Sequence, residues 1–200
     1  CIPVVPNVKL AQRVQAHGAD ALVVEGMEAG GHDGKLTLMA LLENVLPDIE
    51  IPVIAAGGIA DGRGIAASLL MGASGVQMGT RFLLAEECSL HPKAKDAIMA
   101  AADTDSVVTG FTTGDSVRGL KNRFSDRYLK AEYSGASPDE LSSISAGTTK
   151  RGALFGDTEN GFILAGMSLT HLTKIQSAKE IVEELVSETE RRLAAAPGLI

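Results

Sequence analysis

The chain has 200 residues, 45% hydrophobic and 22% charged, with a formal net charge of −7. That length supports one sizeable core, and the acidic balance, with no basic cluster larger than Lys150-Arg151 or Arg191-Arg192, argues against a nucleic-acid partner. No apolar stretch is long enough to span a bilayer, and Cys1 and Cys88 have neither metal-ligand nor disulfide spacing, which points to a reducing cytoplasm, no metal and no membrane.

In chain order, residues 2–5 read as a short strand and residues 8–17 as a helix with Leu10 and Val14 on one face, stopped by Gly18. The chain opens already inside that strand, which points to a preceding segment. Ala21-Leu22-Val23-Val24 has the unbroken apolar pattern of a buried parallel strand. It runs into a glycine-rich loop over residues 25–35 that carries one histidine, His32, and whose Gly30, Gly31 and Gly34 allow positive φ and close approach to a flat or charged ligand. A helix over residues 36–46 closes at Pro47, and a buried strand over residues 51–55 leaves through Ala56-Gly57-Gly58-Ile59. Asp61 is placed to cap a helix over residues 62–71, with Ile65 and Leu69 facing inward and Gly72 ending it. Residues 75–80 give a fourth strand with Gly79 and Thr80 at its exit. Helices between successive strands demand parallel pairing.

In parallel α/β proteins chemistry gathers where strands run out into loops, so the His32 loop and the two small-residue exits belong to one end of the sheet. In (β/α)8 barrels the exits of strands 7 and 8 commonly hold phosphate. Ala56-Gly57-Gly58 and Gly79-Thr80 have that character, with exposed N–H groups beside a helix N-terminus that favours an anion. On this numbering residues 2–5 are strand 5 and residues 21–24 strand 6. The expected fold is α/β, a TIM (β/α)8 barrel of which this chain holds strands 5–8, with strands 1–4 ahead of Cys1. Such a half would present raw sheet edges and associate through them.

Past residue 90 the alternation fades. Pro92 opens a helix with Ile98 and Met99 on its buried side, residues 106–113 are a weak β segment, and residues 117–133 are basic through Arg118, Lys121, Arg123 and Arg127. Ser137 and Glu140 form a capping box for a helix to about residue 144. A turn-rich loop over residues 156–161 precedes an apolar run over residues 162–166. Ser177 and Glu180 open a closing helix with Ile181, Val182, Leu185 and Val186 inward.

Quoted together, EGMEAGGHDGKLT (residues 25–37), IPVIAAGGIADGRG (51–64) and GASGVQMGTRFLLAEEC (72–88) resemble the FMN-dependent enoyl-acyl-carrier-protein reductase II and nitronate monooxygenase family, also called 2-nitropropane dioxygenase-like. HPKAKDAI (91–98), VRGLKNRF (117–124) and GDTENG (156–161) fall where that family has similar segments. A lone GGI would say little, since inosine-monophosphate dehydrogenases and other phosphate-binding barrels share it. The resemblance implies FMN at the barrel mouth, its phosphate held by Ala56, Gly57, Gly58, Gly79 and Thr80. Glu25, Gly30 and Gly31 fall on the cofactor side as well, and His32 matches the family's catalytic histidine. It also implies residues 1–90 as the second half of the barrel, 91–155 as a helical insertion over the active site, and 156–200 as a loop and helix packing back. EAGGH is shared by both branches, whereas GKLT and GDTENG look more like the reductase. The sequence departs from the family at Met167, where a glutamine is usual after Ala-Gly.

Blander readings compete. His32 could be a polar loop residue, the glycines could be tight strand exits, Lys35 and the basic run solvated surface, and Cys88 structural. Ordered motifs at family-like separations weigh against this for His32 and the glycines, while the basic run would suit an acidic carrier protein. The leading expectation is an FMN-dependent enoyl-acyl-carrier-protein reductase using NADH or NADPH, its substrate an acyl-carrier-protein or CoA thioester, assembled as a homodimer as the resemblance suggests. The alternative is a nitronate monooxygenase using O2, and a third is a flavin- or phosphate-binding barrel without turnover.

Overall fold

The structure, a computed structural model, describes residues 1–199. In chain order its elements are β1 (Val4–Val5), α1 (Val8–Ala16), β2 (Leu22–Glu25), β3 (Gly31–His32), α2 (Leu38–Val45), β4 (Val53–Ala56), α3 (Gly62–Leu70) and β5 (Gly75–Gln77). Then come α4 (Pro92–Ala100), β6 (Ser106–Thr109), β7 (Val117–Leu120), α5 (Arg123–Tyr133), α6 (Pro138–Ser145), α7 (Thr148–Phe155) and α8 (Ala178–Ala195).

The apolar runs at β2 and β4 pair in parallel, Val24 opposite Ala55, with β1 outside β2 and β5 outside β4, giving the order β1-β2-β4-β5. Leu22, Val24, Val53 and Ala55 are buried in one cluster with Leu38, Leu41, Leu42 and Val45 of α2. Each such leucine contributes about 1.5–3 kcal/mol by leaving water. The caps follow the sequence. Asn7 accepts from the Leu10 N–H at 2.9 Å, Gly18 takes φ +84°, and Asp61 accepts from the Arg63 and Gly64 N–H groups at 3.0 and 3.2 Å. Ser137 and Ser177 both close capping boxes.

Several expectations change. The histidine loop is not free: Gly31 and His32 form β3, which pairs antiparallel with Arg118 and Val117 of β7, in a second sheet of order β3-β7-β6. The basic stretch divides into β7 and α5, capped by Asn122, and Arg118 turns inward at 4% exposure because its guanidinium finds partners there. It is therefore unavailable to a carrier protein. Arg123 and Arg127 are exposed. The segment 91–155 holds this β-hairpin as well as helices, and α7 starts from Gly147 without a side-chain cap, which left it no signal in the sequence. Of the four apolar residues expected inward on α8, Ile181 and Leu185 are buried, while Val182 and Val186 are 48% and 51% exposed. The inward face of α3 is Gly62, Ala66 and Ser68 rather than Leu69, because α8 crosses α3 closely enough to need small residues. The fourth strand stops at Gln77, and residues 80–84 turn into a short 3-10 helix. Of the segment expected over 156–200, Ile200 lies outside the described residues.

Candidate functional site

The C-terminal ends of β2, β4 and β5 open onto a cleft of about 270 Å³. Glu25, Glu28, Ala29 and Gly30 line it from the β2 exit, Ala56, Gly57, Gly58 and Ile59 from the β4 exit, and Gln77, Met78, Gly79, Thr80 and Leu83 from the β5 exit. Leu164, Gly166 and Ser168 close the fourth side. Of the residues expected on the cofactor, Glu25, Gly30, Ala56, Gly57, Gly58, Gly79 and Thr80 are thus brought together, whereas Gly31 is turned into β3.

The floor of the cleft suits an anion. Gly57 and Gly58 take φ +95° and +71°, left-handed conformations that favour glycine, and a Cβ on Gly57 would stand 2.9 Å from the Gly26 carbonyl. Among the described residues the N–H groups of Gly57, Gly58 and Gly79 have no backbone acceptor, so three donors remain for a ligand. A Cβ on Gly79 would meet nothing within 4 Å, which leaves room above it. The Thr80 hydroxyl accepts from the Gly166 N–H at 2.9 Å and keeps its own proton to donate. The N-terminus of α3, in contrast, is already filled. Asp61 takes two of its N–H groups and Glu188 takes that of Gly62 at 2.9 Å, so an anion bound here would rely on the loop donors. Free N–H groups, a spare hydroxyl and open space over Gly79 fit the phosphate of a mononucleotide such as FMN.

Carboxylates flank this floor under control. Both oxygens of Glu28 accept from the Leu38 N–H at 3.0 Å, capping α2, whose N-cap Thr37 makes no side-chain bond. Burial, and after it the charge of Asp33, raise the pKa of Glu25. A raised pKa weakens the charge that this carboxyl presents to the cleft as pH falls. Asp33 is raised too, mainly by burial and against the pull of Arg118, whose own pKa burial lowers.

His32 stands outside the cleft lining, one strand residue beyond Gly31, with its side chain 77% exposed. Its Nε2 lies 3.1 Å from an oxygen of Asp115. Among the described residues no cluster of three or more His, Cys, Asp or Glu side chains could hold a metal, and no helix is long and apolar enough to cross a membrane.

The family profile described as nitronate monooxygenase matches residues 1–188. The chain belongs to the nitronate monooxygenase family. A probable nitronate monooxygenase of Staphylococcus aureus strain MSSA476 is 36% identical over 183 residues, 86% of this chain and 51% of that protein. The solved structure of FabK from Thermotoga maritima superimposes with TM-score 0.95 at 40% identity, over 100% of this chain and 63% of that one. A nitroalkane oxidase from Streptomyces ansochromogenes superimposes with TM-score 0.82 at 31% identity, over 98% of this chain and 58% of that one. The chain spans about half the length of the curated relatives it matches.

The nitronate monooxygenase family consists of FMN-dependent oxidoreductases built on a TIM barrel, and the four parallel strands here are part of such a barrel. Within that frame the sequence missed Glu28, Ile59, Leu83, Leu164, Gly166 and Ser168 as cleft residues. Gly166 was signalled indirectly, since the departure at Met167 marks the same stretch. Its lack of a side chain is required, because a Cβ there would sit 2.5 Å from the Glu28 carbonyl.

Proposed function

We propose that the chain supplies the phosphate-holding and proton-handling part of an FMN-dependent enoyl-acyl-carrier-protein reductase, which uses NADH or NADPH to reduce 2-enoyl thioesters for fatty acid synthesis in the cytoplasm. The observation that supports the FMN assignment is that Gly57, Gly58 and Gly79, whose N–H groups have no backbone acceptor among the described residues, line one cleft with Thr80. Preference for the reductase rests on the likeness to FabK, an enoyl-acyl-carrier-protein reductase II, across the whole chain. Acyl-carrier-protein or CoA thioesters as substrates and a homodimeric assembly belong to the same reading.

When bound, FMN supplies the two-electron chemistry that joins the nicotinamide to the carbon–carbon double bond. The chain's part is to hold and aim. Gly57, Gly58, Gly79 and Thr80 would donate to the phosphate oxygens, and Glu25 would line the cofactor's side of the same cleft. Gly30, with no side chain and its backbone against Ala165 and Gly166, would keep the cleft wall thin. His32 would hydrogen-bond the acyl carbonyl or hold a proton beside the reacting carbon. The same group could serve a nitronate, and the family profile and the Staphylococcus aureus relative favour nitronate monooxygenase as the second reading.

Anaerobic titration of the FMN-loaded full-length protein separates these. NADH or NADPH is expected to bleach the flavin, and an enoyl thioester such as crotonyl-CoA to restore its colour. Bleaching by a nitronate and by neither nicotinamide would make it a monooxygenase. Retention of FMN without reduction by either would leave a flavin-binding barrel without turnover.

A further inference from the structure

Two features of the His32 strand call for a cause. β3 is only two residues long, and Gly31 enters it at φ +95° with open space where a side chain would be, so little in β3 itself fixes where the imidazole stands. Beneath it lies a buried group that the cleft does not use. The Arg118 side chain is 5% exposed and that of Asp33 3%, with Nη2 3.5 Å from Oδ2, while the other Asp33 oxygen is buried without a partner.

Stability is a poor reason for such a pair. Desolvating both ions costs about as much as their attraction returns, and this geometry leaves one oxygen unsatisfied. Position explains it better. The Arg118 Nε donates to the Met27 carbonyl at 2.9 Å, Nη1 to the Ser106 hydroxyl at 3.2 Å, and the third nitrogen faces Asp33. Met27 and Asp33 bracket the segment whose middle, through Gly30, lines the cleft and whose end is His32. One planar guanidinium therefore grips both ends of that segment and ties them to β6. A lysine, whose donors all sit on one nitrogen, does not reproduce this fork of three separate nitrogens.

We propose that Arg118, with Asp33, is the positioning residue of His32, setting the imidazole's place relative to the cleft; this rests on His32 being the group that meets substrate. Arg118 touches neither cofactor site nor substrate itself. Its removal should act on the substrate step alone.

The test uses the FMN-loaded full-length protein in stopped flow, with flavin reduction and the substrate half-reaction followed separately, using whichever of crotonyl-CoA or a nitronate the wild type turns over. Arg118→Lys and the near-isosteric Asp33→Asn should keep FMN stoichiometry, the reductive half-reaction and KM close to wild type. Each should slow the substrate half-reaction by tenfold to a hundredfold, on the order of the effect of a 1 Å misplacement. In a His32→Ala background neither should slow it further, because both act through the imidazole. Should Arg118→Lys fail to fold, Asp33→Asn decides alone. Wild-type rates in Asp33→Asn, parallel loss in both half-reactions, loss of FMN, or full additivity with His32→Ala would each overturn the proposal. If His32→Ala itself runs at the wild-type rate, the reading of His32 falls, and the positioning role falls with it.

Discussion

Gly79 offers the cleanest single-residue probe of the phosphate floor. An aspartate at Gly58 would confuse charge with strain, since Gly58 takes φ +71° and its Cβ would press on Glu28 at 3.1 Å. At Gly79, with φ −103° and nothing within 4 Å, a side chain fits without displacement. Gly79→Asp is expected to place a carboxylate where the phosphate binds, cutting FMN content to about a tenth or less while the melting temperature of the apoprotein stays close to wild type. A variant that purifies with full flavin stoichiometry would move the phosphate elsewhere. Glu25 makes a second residue-scale prediction through pH. Because burial raises its pKa in the fold, the native state keeps that proton where the unfolded chain has lost it. Its contribution is then fully present below the ordinary glutamate pKa and is lost as pH rises through the raised one, with Asp33 acting in the same direction. Glu25→Gln, which cannot ionise, should melt higher than wild type at about pH 7, and the gap should close toward about pH 4, the ordinary carboxylate range. Parallel melting curves across that window would show that the Glu25 pKa is not raised by the fold.

At the scale of elements, α3 shows what a local pattern can and cannot specify. Asp61 announced the helix start, and the structure uses it so. Nothing local explains Gly62, which at the first helical turn costs helix propensity relative to alanine. Its reason lies 126 residues away, where Glu188 of α8 accepts from the Gly62 N–H, and a Cβ would stand 2.6 Å from the Thr189 nitrogen. Gly62→Ala must push α8 off α3, at a cost of about 1–3 kcal/mol. Urea unfolding should register this as a lower midpoint at unchanged slope. An unchanged midpoint would mean that α8 shifts freely. The histidine segment makes the same point: its glycines suggested a free loop, yet it pairs with β7 because Val117 and Arg118 present a strand edge to it.

Over the whole molecule, the half of the site built on strand exits was legible and the half built on pairing was not. Apolar runs ending in Ala-Gly-Gly and Gly-Thr dictated parallel strands whose exits line one cleft, because burial on both faces and backbone freedom are properties of a few consecutive residues. The motif order also carried the family, and with it the barrel. Chain folding decided the rest. Arg118 looked like one more solvated charge, and only its approach to Met27, 91 residues earlier, turns it into a buried clamp. The α3 N-terminus looked open to an anion until Glu188 came to fill it. Asp115 acquired a link to His32 only when β7 laid its hairpin beside β3. Sequence by itself determined what each short stretch could bury or leave free, since hydrophobic period, caps and glycines act within a turn or a strand. Tertiary structure alone decided which charges meet, because a polar group's partner is set by the path of the chain and leaves no periodic trace in either segment.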